Sequence, residues 1–115
     1  MATIGQCRAA LERLAEHLAE AEGDVRSAAA LDRSVSCHLT DLDTTFTGRL
    51  VHGRIEEVTT VSGPPPERAQ IRLVMTGDDL ISLVEGRLDF ARAWTRGRIR
   101  LEAGLRDLLR LRSLL

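Results

Sequence analysis

The chain has 115 residues, which predicts a single domain spanning residues 1–115, because a chain of this length builds one core and leaves no room for a second. Its net charge of -1 and its three aromatic residues argue against a nucleic-acid-binding protein, which normally combines a basic surface with aromatic stacking platforms. No stretch approaches the roughly 18 consecutive apolar residues of a membrane-spanning helix, and the acidic N-terminal segment is atypical of a signal peptide. We therefore expect a cytoplasmic protein that is not stably inserted in a membrane.

The first predicted element is an amphipathic helix. Its apolar stripe follows steps of three and four residues: Ile4, Cys7, Leu11, Leu14, Leu18, Ala21 and Val25. Thr3 and Gln6 form a capping-box pattern at the start of the helix, and Gly23 is suited to its end. We expect the stripe to pack on the sheet of the same domain, while its regularity leaves open a homodimer or a protein partner bound through this helix.

The middle of the chain changes to a period of two, which predicts half-buried strands with one wet face. This alternation covers Ser34–Thr40, Thr45–Val51, Ile55–Val61, Ile71–Met75 and Arg98–Ala103. The proline-rich stretch Ser62–Pro66 cannot remain in a hydrogen-bonded ladder, because proline has no N–H donor. It predicts a stiff surface connection within the domain.

Three helices are predicted in the C-terminal half. Thr76 is placed to cap the first of them, and the pair Asp78–Asp79 suits the positive end of its dipole better than acid–base catalysis, because adjacent helical residues do not share a face. Asp89 is placed to cap a second, short helix that carries Phe90 and Trp94 one turn apart. The third helix follows Gly104 and is rich in leucine and arginine.

The candidates for catalysis or metal binding are few. Cys37 and His38 are strand neighbours that point to opposite faces, and His38 and His52 lack an evident third ligand. We expect Cys7 and Cys37 to be half-buried thiols without a disulfide. The sequence therefore predicts a protein that is not an enzyme and that has no cofactor and no metal.

The segment from Ala69 to Leu111 carries a further pattern: a strand, a helix opened by Asp78–Asp79, the link Gly86–Asp89, the strand Gly97–Leu101 and a final helix. This order and spacing resemble the C-terminal half of sterol carrier protein type 2 domains. The resemblance implies an α+β fold with a curved, mostly antiparallel five-stranded sheet and helices over one face. It also implies an apolar tunnel between the sheet and the helices.

By the same resemblance, we assign the tunnel to Leu50, Ile71, Leu73, Met75, Leu80, Leu83, Val84, Phe90, Trp94, Leu105, Leu108 and Leu109. The function it implies is non-enzymatic binding or carriage of a hydrophobic small molecule such as a fatty acid, an acyl-CoA or a sterol. Periodicity alone favours the plainer interpretation that these residues form an ordinary core. The alternative function is therefore a protein-interaction or assembly domain with a filled core.

Overall fold

The computed structural model describes residues 2–20, 32–51 and 54–112. The elements are, in chain order, α1 (Ile4–Glu20), β1 (Arg33–Leu39), β2 (Thr44–Val51), β3 (Arg54–Ser62), β4 (Ile71–Met75), α2 (Gly77–Val84), α3 (Phe90–Thr95), β5 (Arg100–Ala103) and α4 (Leu105–Arg112). Ala21, Gly23 and Val25, which were predicted for the end of the first helix, lie outside the described residues. In the described part of the chain, no helix is long and apolar enough to span a bilayer.

The five strands form one sheet in the order β3-β2-β1-β4-β5. Neighbouring strands are antiparallel except β1 and β4, which are parallel. The predicted α+β class with a mostly antiparallel five-stranded sheet is confirmed. The parallel pair requires a crossover connection between β3 and β4, because a tight hairpin can join only antiparallel strands.

One face of the sheet, here called the inner face, is apolar and is covered by helices. Directly opposed residues on neighbouring strands share a face, and Cys37 on β1 is opposite Phe46 on β2 and Leu73 on β4. Cys7 and Leu11 of α1 are buried in the same cluster of side chains as Cys37 and Phe46. Cys7, Leu11 and the partly buried Leu14 of the predicted stripe therefore pack on their own domain, whereas Ile4 at its start is exposed.

The opposite, outer face departs from the predicted wet surface. Ser36 and Thr45 are buried there, although both were predicted to be solvated. The crossover from β3 to β4 lies against this face, because the Thr45 hydroxyl donates to the Gly63 carbonyl at 2.7 Å and the Gln70 amide donates to the Ser34 hydroxyl at 2.9 Å. The proline-rich connection thus covers polar side chains rather than merely joining two strands.

Helix α1 begins with the predicted capping box. The Gln6 amide donates to the Thr3 hydroxyl at 3.1 Å, and the Thr3 amide donates to the Gln6 side-chain oxygen at 2.9 Å. The helix packs mainly on α2, where Gly77 provides the close approach. A β-carbon added at Gly77 would lie 2.9 Å from the Cys7 Sγ, so any larger residue would force the packing at this crossing to shift.

The caps of the two short helices also agree with the sequence. The Asp79 amide donates to the Thr76 hydroxyl at 3.1 Å, and the Ala91 amide donates to the Asp89 carboxylate at 3.0 Å. Gly86 and Gly97 follow the two helices with positive φ angles of 78° and 77°.

Strand β5 begins at Arg100, two residues later than predicted. The amides of Arg98 and Ile99 both donate to the Ala93 carbonyl, at 2.8 and 3.2 Å. They complete the end of α3 and are therefore not available to a strand ladder. The alternating pattern in the sequence could not reveal this competition for the same N–H groups.

Candidate ligand-binding site

The inner face carries two separate groups of apolar side chains. The first apolar cluster is closed by α1, α2 and α3, and its buried members are Ala2, Cys7, Ala10, Leu11, Cys37, Leu39, Phe46, Met75, Leu80, Ala93 and Ile99. The second apolar cluster lies at the other end of the central strands and consists of Leu50 and Ile71 with Val35, Ile55, Leu101 and Ala103 around them.

Many of the predicted tunnel residues belong to the first apolar cluster. Met75 and Leu80 are buried members of it, at 3% and 1% exposure, so they fill the core between the sheet and the helices. Four more predicted residues pack against this cluster and are partly buried: Leu73, Leu83, Val84 and Phe90. Trp94 is half-buried and stands beside Phe90, with ring centroids 6.1 Å apart and planes inclined by 46°.

The remaining predicted residues lie in two other places. Leu50 and Ile71 form the buried centre of the second apolar cluster. On α4, Leu108 is half-buried, whereas Leu105 and Leu109 are exposed. The structure therefore distributes the predicted set over a filled core, an aliphatic patch on the sheet and an outward-facing helix surface.

The second apolar cluster is surrounded by side chains that remain partly accessible among the described residues. Val35, Ile55, Leu101 and Ala103 are only partly buried, and they come from four different strands. They form an aliphatic wall without charged atoms of their own. Such a wall can hold an aliphatic chain or a ring system, but it provides no polar group that would select one ligand over another.

Helix α4 is held beside this wall by an ion pair. The Arg33 Nε donates to the Asp107 carboxylate at 3.0 Å, and the Asp107 side chain is almost fully buried. Arg33 begins strand β1 two residues before Val35, so the pair fixes α4 to the end of the sheet that carries the second apolar cluster. Sequence reasoning missed this pair, because the partners are 74 residues apart and neither follows a motif.

A second ion pair joins α2 to the start of β5. Arg98 donates to both oxygens of the buried Asp79, from Nη2 at 2.7 Å and from Nε at 3.2 Å. The Arg98 side chain stays 58% exposed while it makes this contact, and the contact gives the buried Asp79 carboxylate a role beyond the helix-end position predicted from the sequence. The two N–H groups of Arg98 satisfy the buried Asp79 carboxylate of α2. The contact thereby links α2 to the start of β5, and both elements border the core.

Two open grooves lie on the surface of the described residues. One, of about 190 Å³, runs between α1 and α2 and is lined by Gln6, Ala9, Ala10, Arg13, Ile81, Val84 and Glu85. The other, of about 250 Å³, separates the connection at Pro66–Ala69 from Ser34, Thr47 and neighbouring residues. Both are smaller than the roughly 300–1,000 Å³ typical of pockets that enclose a small molecule. Neither groove by itself would enclose a lipid.

The cysteines have the chemistry of core residues. Cys7 and Cys37 are free and fully buried, not half-buried as predicted, because α1 closes over the strand that carries Cys37. Burial raises the pKa of the Cys37 thiol to about 12, and burial followed by the charges of Asp41 and Asp78 raises the pKa of the Cys7 thiol. Both thiols are therefore protonated near neutral pH and are poor nucleophiles.

The histidines do not assemble a site in the described residues. His38 Nε2 lies 3.7 Å from an Asp43 carboxylate oxygen and has no hydrogen-bond partner there. His52, its predicted neighbour, lies outside the described residues. Within residues 2–20, 32–51 and 54–112, no group of three or more His, Cys, Asp or Glu side chains is arranged to hold a metal ion.

No protein-family model matches the sequence, and no curated protein matches it. Solved structures do match. A crystal structure of sterol carrier protein 2 aligns with a TM-score of 0.64 and 22% identity over 93% of this chain and 84% of that one. This chain has the sterol carrier protein 2 fold. Sterol carrier protein 2 like 2 from Aedes aegypti gives the same TM-score with 11% identity, over 96% and 97% of the two chains.

The sterol carrier protein 2 fold also matches part of a larger enzyme. A variant of a sec-alkyl sulfatase aligns with a TM-score of 0.55 and 21% identity, over 80% of this chain but only 15% of the sulfatase chain. At such identities the likeness extends to the fold alone. The resemblance found in Ala69–Leu111 is confirmed at that level.

Proposed function

We propose that the protein binds a hydrophobic small molecule, such as a fatty acid, an acyl-CoA or a sterol-like compound, at the second apolar cluster. The observation that carries this proposal is the partly buried aliphatic wall of Val35, Ile55, Leu101 and Ala103 on the inner face, beside α4. The largest side chains of the first apolar cluster, including Phe46, Leu39 and Leu80, are themselves fully buried. The shared fold with proteins named as sterol carriers supports the same class of ligand.

The wall sets the expected strength of binding. Each buried methylene contributes about 0.8 kcal/mol, so half of a sixteen-carbon chain contributes roughly 6 kcal/mol before the cost of association. A net free energy of that size would correspond to a dissociation constant of about 40 μM, so this value is the strongest binding that the wall alone can give. We expect weak binding that tolerates several ligands of similar size, because aliphatic contacts select for shape rather than identity.

Titration with a fluorescent fatty acid, followed by competition with a non-fluorescent one, tests the proposal. The chain offers a matched pair of variants, because Val35 and Val74 are both half-buried strand valines on opposite faces of the sheet. Val35→Asn should weaken binding about tenfold by placing an amide in the aliphatic wall, whereas Val74→Asn should leave it unchanged. Failure to find saturable, competable binding up to about 100 μM would refute carriage by this wall.

A second candidate function is an assembly domain with a filled core. It is supported by the complete burial of Phe46, Leu39 and Leu80, and by the absence of an enclosed cavity at either groove of the described surface. Sedimentation equilibrium and affinity capture from a lysate of the source organism test it. A strictly monomeric protein that captures no partner would remove this candidate, and saturable ligand binding would favour the first.

A further inference from the structure

Strand β5 forms one edge of the sheet. It is the last strand in the order β3-β2-β1-β4-β5 and pairs with β4 on one side. In the described part of the chain, no backbone hydrogen bond joins Arg100–Ala103 to a strand or loop other than β4. Every second peptide group of an edge strand points away from its neighbour, so β5 presents free N–H and C=O groups to a further strand.

The opposite edge of the sheet, at β3, is less suited to pairing. Glu57 has a positive φ of 56°, and the pairing register between β2 and β3 shifts where it lies, which marks a β-bulge. Helix α1 lies against the same strand, where the Arg8 Nη1 donates to the Thr60 hydroxyl at 2.9 Å. Bulges and covering elements are common means of blocking a sheet edge. The β5 edge is therefore the one better suited to a partner strand.

The charges of β5 are complementary to those of a second, antiparallel β5. Arg100 and Glu102 lie on the same face of the sheet on either side of Leu101, and their side chains are 70% and 45% exposed. When Leu101 of one copy lies opposite Leu101 of another, Arg100 of each copy faces Glu102 of the other across a twofold axis. Cross-strand pairs of opposite charge stabilise antiparallel strands. A shift of this register by two residues in either direction places Arg100 or Glu102 opposite itself.

The same register accommodates the start of α4. Leu105 begins this helix and is 74% exposed. In an antiparallel pair centred on Leu101, Leu105 of one copy falls beside Gly97 of the other, because both are four residues from the centre. A β-carbon added at Gly97 would meet nothing within 4 Å, so this turn leaves space for the leucine. Contact there removes apolar surface from water.

We propose that the protein forms a symmetric dimer in which the β5 strands of two copies pair antiparallel about Leu101 and join the two five-stranded sheets. The two Leu101 side chains, each beside a second apolar cluster, then lie next to each other, so that two aliphatic walls become one surface. This consequence for ligand binding rests on the proposed function, whereas the association does not. A four-residue edge makes a small interface, so we expect weak association, with a dissociation constant on the order of 100 μM.

Sedimentation velocity of the full chain without added lipid, between about 10 μM and 1 mM, tests the proposal. We expect the weight-average sedimentation coefficient to rise toward that of a dimer. Arg100→Glu and Glu102→Arg should each weaken association about tenfold, because each places like charges opposite each other across the axis. An equimolar mixture of the two variants should regain the affinity of the unaltered protein, because each altered charge then faces its opposite in the other variant.

The controls reverse charges at the other edge of the sheet. Arg8→Glu and Glu56→Arg alter α1 and β3 and should associate like the unaltered protein. Circular dichroism and thermal unfolding establish that each variant is folded. Because Glu102 also pairs with Arg72 at 3.4 Å, its replacement can destabilise the fold, and Leu105→Ser, which should weaken association about tenfold, then provides the second variant.

Three results would overturn the proposal: a protein that stays monomeric up to about 1 mM, a mixture that associates no better than the single variants, or β3-edge variants that weaken association as much. A dimer without fatty-acid binding would leave the β5 pairing intact while refuting the proposed function. Fatty-acid binding by a strict monomer would refute the pairing and leave the proposed function intact.

Discussion

Gly77→Ala tests how closely α1 and α2 pack. The added methyl group would meet the Cys7 Sγ at 2.9 Å, a Leu42 methyl group at 3.1 Å and the Ala2 Cβ at 3.4 Å. All three neighbours belong to buried or half-buried parts of the core. Overpacking of this kind costs about 1–3 kcal/mol, and the better helix propensity of alanine returns up to about 1 kcal/mol. We expect a net loss of about 1–2 kcal/mol in the free energy of unfolding.

Urea denaturation and thermal unfolding measure this loss. A change of about 1–2 kcal/mol should lower the melting temperature by roughly 5–10 °C in a chain of this length. Gly5→Ala is the matched control, because Gly5 also stands in the first turn of a helix but its added methyl group would meet only the Thr3 hydroxyl, at 4.0 Å. It should be neutral or stabilising by up to about 1 kcal/mol.

A double variant separates the clash from other effects. Cys7→Ala removes the sulfur atom that the new methyl group meets, so Gly77→Ala should cost less in the Cys7→Ala background than in the unaltered protein. If Gly77→Ala and Gly5→Ala change the free energy of unfolding by the same amount and in the same direction, the close packing of α1 against α2 at Gly77 is contradicted. Equal costs of Gly77→Ala in both backgrounds would show that Cys7 is not the atom that limits the space.

Two further predictions concern charged and titrating groups. Arg98→Ala should lower the free energy of unfolding by about 1–2 kcal/mol, because it leaves the buried Asp79 carboxylate without its partner. Arg100→Ala is the control and should cost little, because Arg100 belongs to an exposed pair whose atoms are 3.9 Å apart. Similar losses for the two variants in urea denaturation would contradict the role of the Arg98 contact. The folded state should also lose stability between pH 9 and about 12. The pKa of the Cys37 thiol is raised in the folded state but keeps its ordinary value of 9.0 in the unfolded chain. The thiol therefore ionises first in the unfolded chain, and a rising pH favours unfolding. The chain has no tyrosine and no lysine to titrate in that range, so Cys37→Ala should reduce the loss in alkaline urea denaturation to the part that comes from Cys7, whose pKa is also raised by burial. An unchanged pH profile would contradict the burial of the Cys37 thiol.

Local chemistry accounts for what the sequence predicted well. A cap depends on a side chain within three residues of the amide that it accepts from, and the Thr3, Thr76 and Asp89 caps are all observed. Strand alternation depends only on the pleat of the backbone, which made Cys37 and Phe46 recognisable as inward residues. Patterns among residues close in sequence therefore determine where the helices and strands lie and which side of each one carries its apolar residues.

The same patterns could not show what covers each face. Ser36 and Thr45 have the alternation of solvated strand residues, yet the crossover from β3 to β4 buries them. Leu105 and Leu109 have the spacing of a core stripe, yet the Asp107 anchor turns them outward. In each case the outcome depends on a contact between residues distant in sequence, and neither partner is marked by a local motif.

The position of α4 bears directly on the proposed function. The Asp107–Arg33 pair ties α4 to the start of β1, two residues from Val35 in the second apolar cluster, while Leu105 and Leu109 face away from that anchor. Because the pair holds α4 beside the aliphatic wall, breaking it with Asp107→Asn should weaken fatty-acid binding in the fluorescence titration. An unchanged affinity would show that α4 is not a wall of the ligand site.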